Sequence, residues 1–293
     1  MARLVLLHGR SQQHKDALEL KKTWINAWAA GLKANGLEVP IADSDIVMPY
    51  YGDTLDDLTA RRRKSDVAEI ILRGDGDDDE QRFLAEVIEE TRQAAGITEQ
   101  QLLDALNQPI IERDMRDKGW VHATVKALEA LPGASAATIA IATRDVYKYL
   151  KDHAIREQID TGVTRAILPA TPTIILSHSL GTVIAYSILH RQADRSGWQV
   201  PLLITLGSPL GVRAIRDELR PIGRPAAIRS WLNARDERDF VALRPLVAPH
   251  FKVTPEIENK SDVRNETPNR HGITGYLSDP DVARRVHDAL IDD

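Results

Sequence analysis

Residues 173–182 have the sequence TIILSHSLGT, in which a β-branched apolar run passes directly into Ser-His-Ser-Leu-Gly. The first half predicts a buried strand, and the apolar spacing that follows predicts a helix over residues 180–191. A serine between small residues at such a junction is typical of a nucleophile elbow, a strained turn that raises the hydroxyl above the end of a sheet. Ser177 and Gly181 are the small residues that this turn requires on either side of Ser179.

Two serines compete for the role of nucleophile. The alternative role for Ser179 is that of a simple N-cap, because it lies where the predicted helix begins. Ser208 follows a second predicted strand, at 201–206, but the next residue is Pro209. Because proline has no N–H to donate to an oxyanion, we expect a structural role for Ser208. Ser179 is therefore the candidate nucleophile, and the Leu180 N–H is a candidate oxyanion donor.

Strands and helices alternate on both sides of this junction. Apolar runs predict strands at residues 4–7, near 46–50, and at 173–177, 201–206 and 227–233. Helical spacing predicts helices over 15–35, 180–191, 212–219 and 280–291. This alternation predicts an α/β fold with a mostly parallel sheet flanked by helices.

Residues 55–165 break the alternation. They contain helical patterns but no clear strand pattern, and the predicted helices lie around 55–72, 81–95, 99–106, 120–131 and 144–159. We expect this block to be a helical cap or lid inserted into a core made of residues 1–54 and 166–293. A spacer between two parts of the core is the alternative.

A serine nucleophile needs a histidine base and an acid that orients it. His271 lies in a polar, glycine-bearing stretch, 269–277, which we expect to be a loop before the last helix. Asp236 and Asp239 both follow the strand at 227–233. We favour Asp239, because the Phe-Val pair after it can pack inward and aim its carboxylate. Asp236 is the alternative acid, and otherwise we expect it on the solvent side of the turn.

The loop after the first strand reads His-Gly-Arg at residues 8–10. It resembles the loop that commonly supplies the second oxyanion amide, so the Arg10 N–H is a candidate donor. His8 itself is expected to organise this loop rather than to react.

These motifs, in the chain order Ser, Asp, His, resemble those of the α/β-hydrolase superfamily. The similarity is to bacterial serine esterases and lipase-like hydrolases with a Leu-Gly-Ser-Pro strand end, here residues 206–209; Tyr-Tyr-Gly-Asp at 50–53 also resembles segments of that group. It covers roughly residues 1–53 and 140–293. It implies a cofactor-free hydrolase that cleaves small-molecule acyl esters or lipid-like substrates. The alternatives are an acyltransferase or thioesterase with the same triad, or a catalytically silent module that binds partners.

Composition excludes other functions. The net charge of −5 shows no basic excess for nucleic acid, and the absence of cysteine excludes thiol catalysis and thiolate metal sites. The acidic segment 73–80 has Glu80 where a calcium loop needs glycine, so we expect a solvated loop and no metal. No apolar run is long enough to span a bilayer. The fold begins near residue 3 without a secretory signal, which predicts a cytoplasmic protein.

Overall fold

The structure, a computed structural model, describes residues 2–9, 16–52, 78–106, 118–131 and 136–292. Its centre is a six-stranded parallel sheet with the order β2-β1-β3-β4-β5-β6. The strands are β1 (Arg3–Leu7), β2 (Ile46–Val47), β3 (Thr173–His178), β4 (Val200–Leu206), β5 (Ile228–Ala234) and β6 (Glu258–Lys260). The predicted α/β class with a parallel sheet is confirmed.

Helices cover both faces of this sheet. They are α1 (Ala17–Lys33), α2 (Asp78–Ala94), α3 (Glu99–Leu106), α4 (Lys118–Glu129), α5 (Ala136–Lys151), α6 (His153–Thr164), α7 (Leu180–Ser196), α8 (Arg213–Glu218), α9 (Ile273–Leu277) and α10 (Pro280–Ile291). The helix expected over 144–159 is two helices, because the Asp152 side chain caps α6 by accepting the N–H groups of Ala154 and Ile155. The helix expected at 55–72 lies outside the described residues.

The central strands β1, β3 and β4 are buried on both faces, as parallel strands between helices usually are. Leu4 and Leu6 of β1 face one apolar core, which they share with α1 and α10. Val5 and Leu7 face the other core, which contains α7 and the described helices α2 to α6. The described helices α2 to α6 therefore lie on one side of the sheet and share an apolar core with it.

The order of the strands creates a crevice at their carboxyl ends. β1 and β3 are neighbours, yet α1 and α7, the helices that follow them, lie on opposite faces of the sheet. Ligands of open α/β sheets bind at such a switch point. Gly9 follows β1 and Ser179 follows β3, so both lie at this crevice.

Candidate active site

Ser179 sits on a strained turn between β3 and α7. Its backbone has φ 53° and ψ −125°, a conformation that non-glycine residues rarely adopt. Although Ser179 occupies the N-cap position, its side chain makes no capping hydrogen bond. The N-cap alternative is therefore wrong, and the Ser179 Oγ instead lies 2.8 Å from Nε2 of His271.

The small residues around Ser179 allow α7 to start directly against the end of β1. A Cβ atom on Gly181 would lie 2.2 Å from the Leu7 carbonyl oxygen and 2.8 Å from that of His8, so only glycine fits. The hydroxyl of Ser177 donates to the Ile204 carbonyl of β4 at 2.9 Å. This crowding is the physical reason for the small-x-Ser-x-Gly pattern.

Ser179, His271 and Asp239 form one hydrogen-bonded chain. The second ring nitrogen of His271, Nδ1, lies 2.7 Å from Oδ2 of Asp239. An ionised carboxylate only accepts, so Nδ1 carries the hydrogen. In the neutral ring Nε2 is then the acceptor, and the Ser179 hydroxyl donates to it. This is the arrangement in which a histidine can remove the proton of a serine.

Asp239 is buried, with 1% of its surface exposed. Its Oδ1 accepts the N–H groups of Val241 at 2.9 Å and Ala242 at 3.4 Å, and its Oδ2 accepts the Tyr276 hydroxyl at 2.6 Å. Burial acts to raise the pKa of Asp239, but attraction to the His271 ring and the hydrogen bonds from His271, Tyr276 and Val241 outweigh it and lower the pKa. Asp239 is therefore held as an anion.

The expectation that Asp236 faces solvent is wrong, since it is only 2% exposed. Its carboxylate accepts the N–H groups of Arg238 at 2.8 Å and Asn265 at 2.9 Å. The side-chain nitrogen of Asn265 in turn donates to the Gly272 carbonyl at 2.8 Å. Asp236 thus joins residues 235–242, the acid turn that follows β5, to the segment that carries His271. Asp239 is the aspartate that contacts the His271 ring.

His178 connects the elbow to the same segment. Its Nε2–H donates to the backbone carbonyl of His271 at 2.7 Å, and the edge of Trp24 packs near its ring. Burial, followed by repulsion from His271, lowers the pKa of His178 to about 3. His178 is therefore a neutral donor that ties the segment carrying His271 to the turn at Ser179.

Of the two candidate oxyanion donors, the N–H groups of Leu180 and Arg10, only that of Leu180 lies in the described residues. The Leu180 N–H is the first of α7, where the helix offers no carbonyl partner. Arg10 lies outside the described residues. His8 organises the preceding loop, as expected: Nδ1 donates to the Gly9 carbonyl at 2.7 Å, and Nε2 accepts the Tyr51 N–H at 3.2 Å.

The stretch expected to be a loop at 269–277 ends in the short helix α9, which brings Tyr276 to the carboxylate of Asp239. No spacing or motif in the sequence marks this tyrosine. Ser208, the rival serine, caps a turn: its hydroxyl bonds that of Thr182 at 2.8 Å and accepts the Leu210 N–H at 3.3 Å.

A narrow cavity of about 10 Å³, which is room for about one water molecule, lies beside Ser179. Apolar side chains and one threonine form its described walls. They come from α2 and α5 on one side and from the segments after β4 and β5 on the other: Val87, Ile139, Ala142, Thr143, Val146, Pro209, Val212, Ile215, Phe240, Val241 and Leu243. The Thr143 hydroxyl donates to the Ile139 carbonyl within α5, so these walls present neither a charge nor a free hydroxyl.

Within the described ranges, no group of three or more His, Asp or Glu side chains could hold a metal ion. In the same part of the chain, no helix has both the length and the apolar character needed to cross a bilayer. Comparison of the chain with protein-family models, with curated proteins and with solved structures found no match.

The buried His178 predicts a loss of stability in mild acid. The unfolded chain takes up this proton near pH 6.5, but the folded protein takes it up only near pH 3. Between these values the unfolded state binds more protons, so the free energy of unfolding falls as the pH falls, by up to about 1.4 kcal/mol per pH unit for one group. The lowered pKa of Asp239 also decreases the free energy of unfolding in acid, but only at pH values toward and below the lower end of the range in which His178 acts.

Urea unfolding measured between pH 7 and pH 4 checks this. His178→Gln keeps a donor but removes the titration, so its stability should fall less steeply with acid than that of the wild type. His153→Gln, at an exposed position on α6, is the control and should follow the wild-type slope. A wild-type slope in His178→Gln would contradict the prediction.

Proposed function

We propose that the protein is a serine hydrolase of the α/β-hydrolase type, which cleaves a carboxylic ester or related acyl bond. The observation that carries the proposal is the chain of hydrogen bonds from Ser179 through His271 to Asp239. All three residues lie in segments that follow strands of the parallel sheet, on the side where ligands of such sheets bind.

In this mechanism the Ser179 oxygen attacks the acyl carbonyl while His271 Nε2 takes the hydroxyl proton. The Leu180 and Arg10 N–H groups receive the negative oxygen of the tetrahedral intermediate. His271 then gives the proton to the leaving alcohol, and an acyl group stays on Ser179. Water, deprotonated by His271, releases the acid and restores the serine. One oxyanion donor is worth roughly 3 kcal/mol of transition-state stabilisation.

Two features argue against a silent binding module. A backbone like that of Ser179 costs on the order of 1–3 kcal/mol. A buried carboxylate such as Asp239 also costs free energy unless its hydrogen bonds compensate. A protein that only bound a partner would gain nothing from holding these two groups at either end of a histidine.

The apolar walls of the narrow cavity at Ser179 support an apolar acyl group as the part of the substrate that contacts them. Its described walls carry no charge that could pair with a second carboxylate of the substrate. We assign residues 55–165 to a cap over the core formed by 1–54 and 166–293, because Val87 of α2 and Ile139 of α5 share this cavity with Ser179. Lipid-like or other apolar small-molecule esters are therefore the proposed substrates.

A fluorophosphonate probe tests the nucleophile, because it phosphonylates activated serine hydroxyls and releases fluoride. We expect labelling of the wild type at Ser179, located by peptide mass mapping, and no labelling of Ser179→Ala. Ser208→Ala is the matched control and should label normally, since that hydroxyl is engaged in the Ser208 turn. Absence of labelling in the folded wild type, or labelling that survives in Ser179→Ala, would reject the proposal.

The cavity walls predict acyl-chain preference. Val87→Ala and Ile139→Ala widen the cavity, so each should raise kcat/KM for octanoate relative to butanoate p-nitrophenyl esters by about tenfold. The Leu18→Ala variant removes an exposed leucine of α1 and should leave this ratio unchanged. Equal ratios in all four proteins would show that the acyl chain lies elsewhere, even if Ser179 is the nucleophile.

A further inference from the structure

Tyr276 is a buried residue of α9 that the proposed mechanism does not use. It is fully enclosed, with 0% of its surface exposed, and its hydroxyl donates to Oδ2 of Asp239 at 2.6 Å. This is the same oxygen that faces Nδ1 of His271 at 2.7 Å. The phenol and the imidazole therefore share one acceptor atom.

The direction of this hydrogen bond is determined by a second contact. The backbone N–H of Asp236 donates to the Tyr276 oxygen at 3.2 Å, so that oxygen is already an acceptor on one side. A phenol has a single hydrogen, and Asp239 as an anion can only accept. The phenol hydrogen therefore points at Asp239. Burial and the charge of Asp239 raise the pKa of Tyr276 well above its usual value, so the hydroxyl keeps its proton.

Packing fixes the two rings side by side. Gly207 directly follows β4 and has φ 56°, and a Cβ atom there would lie 3.1 Å from the His271 ring and 3.1 Å from the Tyr276 ring. The other ionisable groups around the phenol are Asp239, Asp236 and His178, whose ring centroid lies 6.0 Å away. Two cations, Arg238 and Arg270, pair with Asp236 at 3.5 Å and 3.8 Å, whereas the phenol is the neutral donor opposite the imidazole.

We propose that Tyr276 is a positioning residue of the triad, which holds the Asp239 carboxylate in the plane of the His271 ring and moderates its attraction for the imidazole proton. The proposal rests on the proposed hydrolase function. The Oδ1 atom is held by the Val241 and Ala242 N–H groups, so Tyr276 supplies the remaining donor. With all four donors in place, the carboxylate cannot rotate away, and it stays ionised while His271 gains and loses the proton.

Tyr276→Phe tests this role because it keeps the ring and removes only the donor. Because the lost hydrogen bond is to a charged group, we expect kcat to fall by about ten- to hundredfold with little change in KM. Without the phenol, the carboxylate attracts the imidazolium proton more strongly, so the acid limb of the pH–rate profile should move to higher pH. A merely structural tyrosine would not move that limb.

Tyr149→Phe is the matched control. Tyr149 is also fully buried and donates to a buried carboxylate, that of Asp160 at 2.8 Å, but it lies outside the triad and the described cavity walls. The Tyr149→Phe variant should lose stability as Tyr276→Phe does, but its kcat and the acid limb of its pH–rate profile should keep their wild-type values. Thermal unfolding of both variants separates loss of folding from loss of catalysis.

Replacement of Tyr276 with 3-fluorotyrosine gives a second variant that keeps ring and hydroxyl. Fluorine makes the phenol a stronger donor, so the acid limb should move to lower pH, opposite to Tyr276→Phe. If neither substitution moves the limb relative to Tyr149→Phe, the proposal is overturned.

The Nδ1–H proton resonance of His271 separates failure of this proposal from failure of the hydrolase function. Its NMR shift reports the hydrogen bond to Asp239 whether or not an ester is cleaved. We expect it to move in opposite directions in the Phe and fluorotyrosine proteins. If the wild type is inactive but the resonance moves in these opposite directions, the hydrolase function is rejected and the role of Tyr276 is kept. If the wild type is active but the resonance does not move in the variants, the role of Tyr276 is rejected and the hydrolase function is kept.

Discussion

The buried negative charge of Asp239 is the constraint on which the rest of the site depends. Removing a carboxylate from water costs several kcal/mol, and only well-placed donors compensate this cost. Four donors do so here, from His271, Tyr276, Val241 and Ala242. They come from the turn after β5, from the segment before α9 and from α9 itself. The charge can therefore exist only if these three parts of the chain meet, and that meeting directs His271 at Ser179.

The same turn also shapes the cavity. Phe240 and Val241 directly follow Asp239 and line the space beside Ser179. Across that space lie α2 and α5, which belong to the apolar core on one face of the sheet. A change in the packing of α2 or α5 will therefore shift Phe240 and Val241, and with them Asp239. In the proposed hydrolase, acyl selectivity and the orientation of Asp239 would be coupled, because they depend on adjacent residues.

The sequence pattern predicted those elements whose structure depends on residues close together in the chain. The crowding around Gly181 explains why a small-x-Ser-x-Gly string marks a strand-to-helix turn, and the last helix begins as expected at Pro280, after the Asp279 cap. Among the described residues, two elements escaped prediction: β6 has only three residues, Glu-Asn-Lys, and α9 is a single turn that contains glycine. Neither has enough residues to show an apolar period.

Long-range contacts explain the remaining differences. The burial of Asp236 depends on Asn265, 29 positions away, and the contact of Tyr276 with Asp239 spans 37 positions. An Asp beside two arginines looks like a solvent-exposed residue until the segment before α9 covers it. The sequence favoured Asp239 as the partner of His271, because the Phe-Val pair that follows it can pack inward, but it left Asp236 as the alternative.

The most direct test of the central claim is one turnover with p-nitrophenyl N-butylcarbamate, followed by mass mapping of the protein. Serine hydrolases release a carbamoyl group slowly, so the covalent intermediate accumulates. The proposed mechanism predicts one p-nitrophenol released per chain and one butylcarbamoyl group on the Ser179 oxygen. Release of p-nitrophenol with Ser179 unmodified, or with the group on any other side chain, would contradict it.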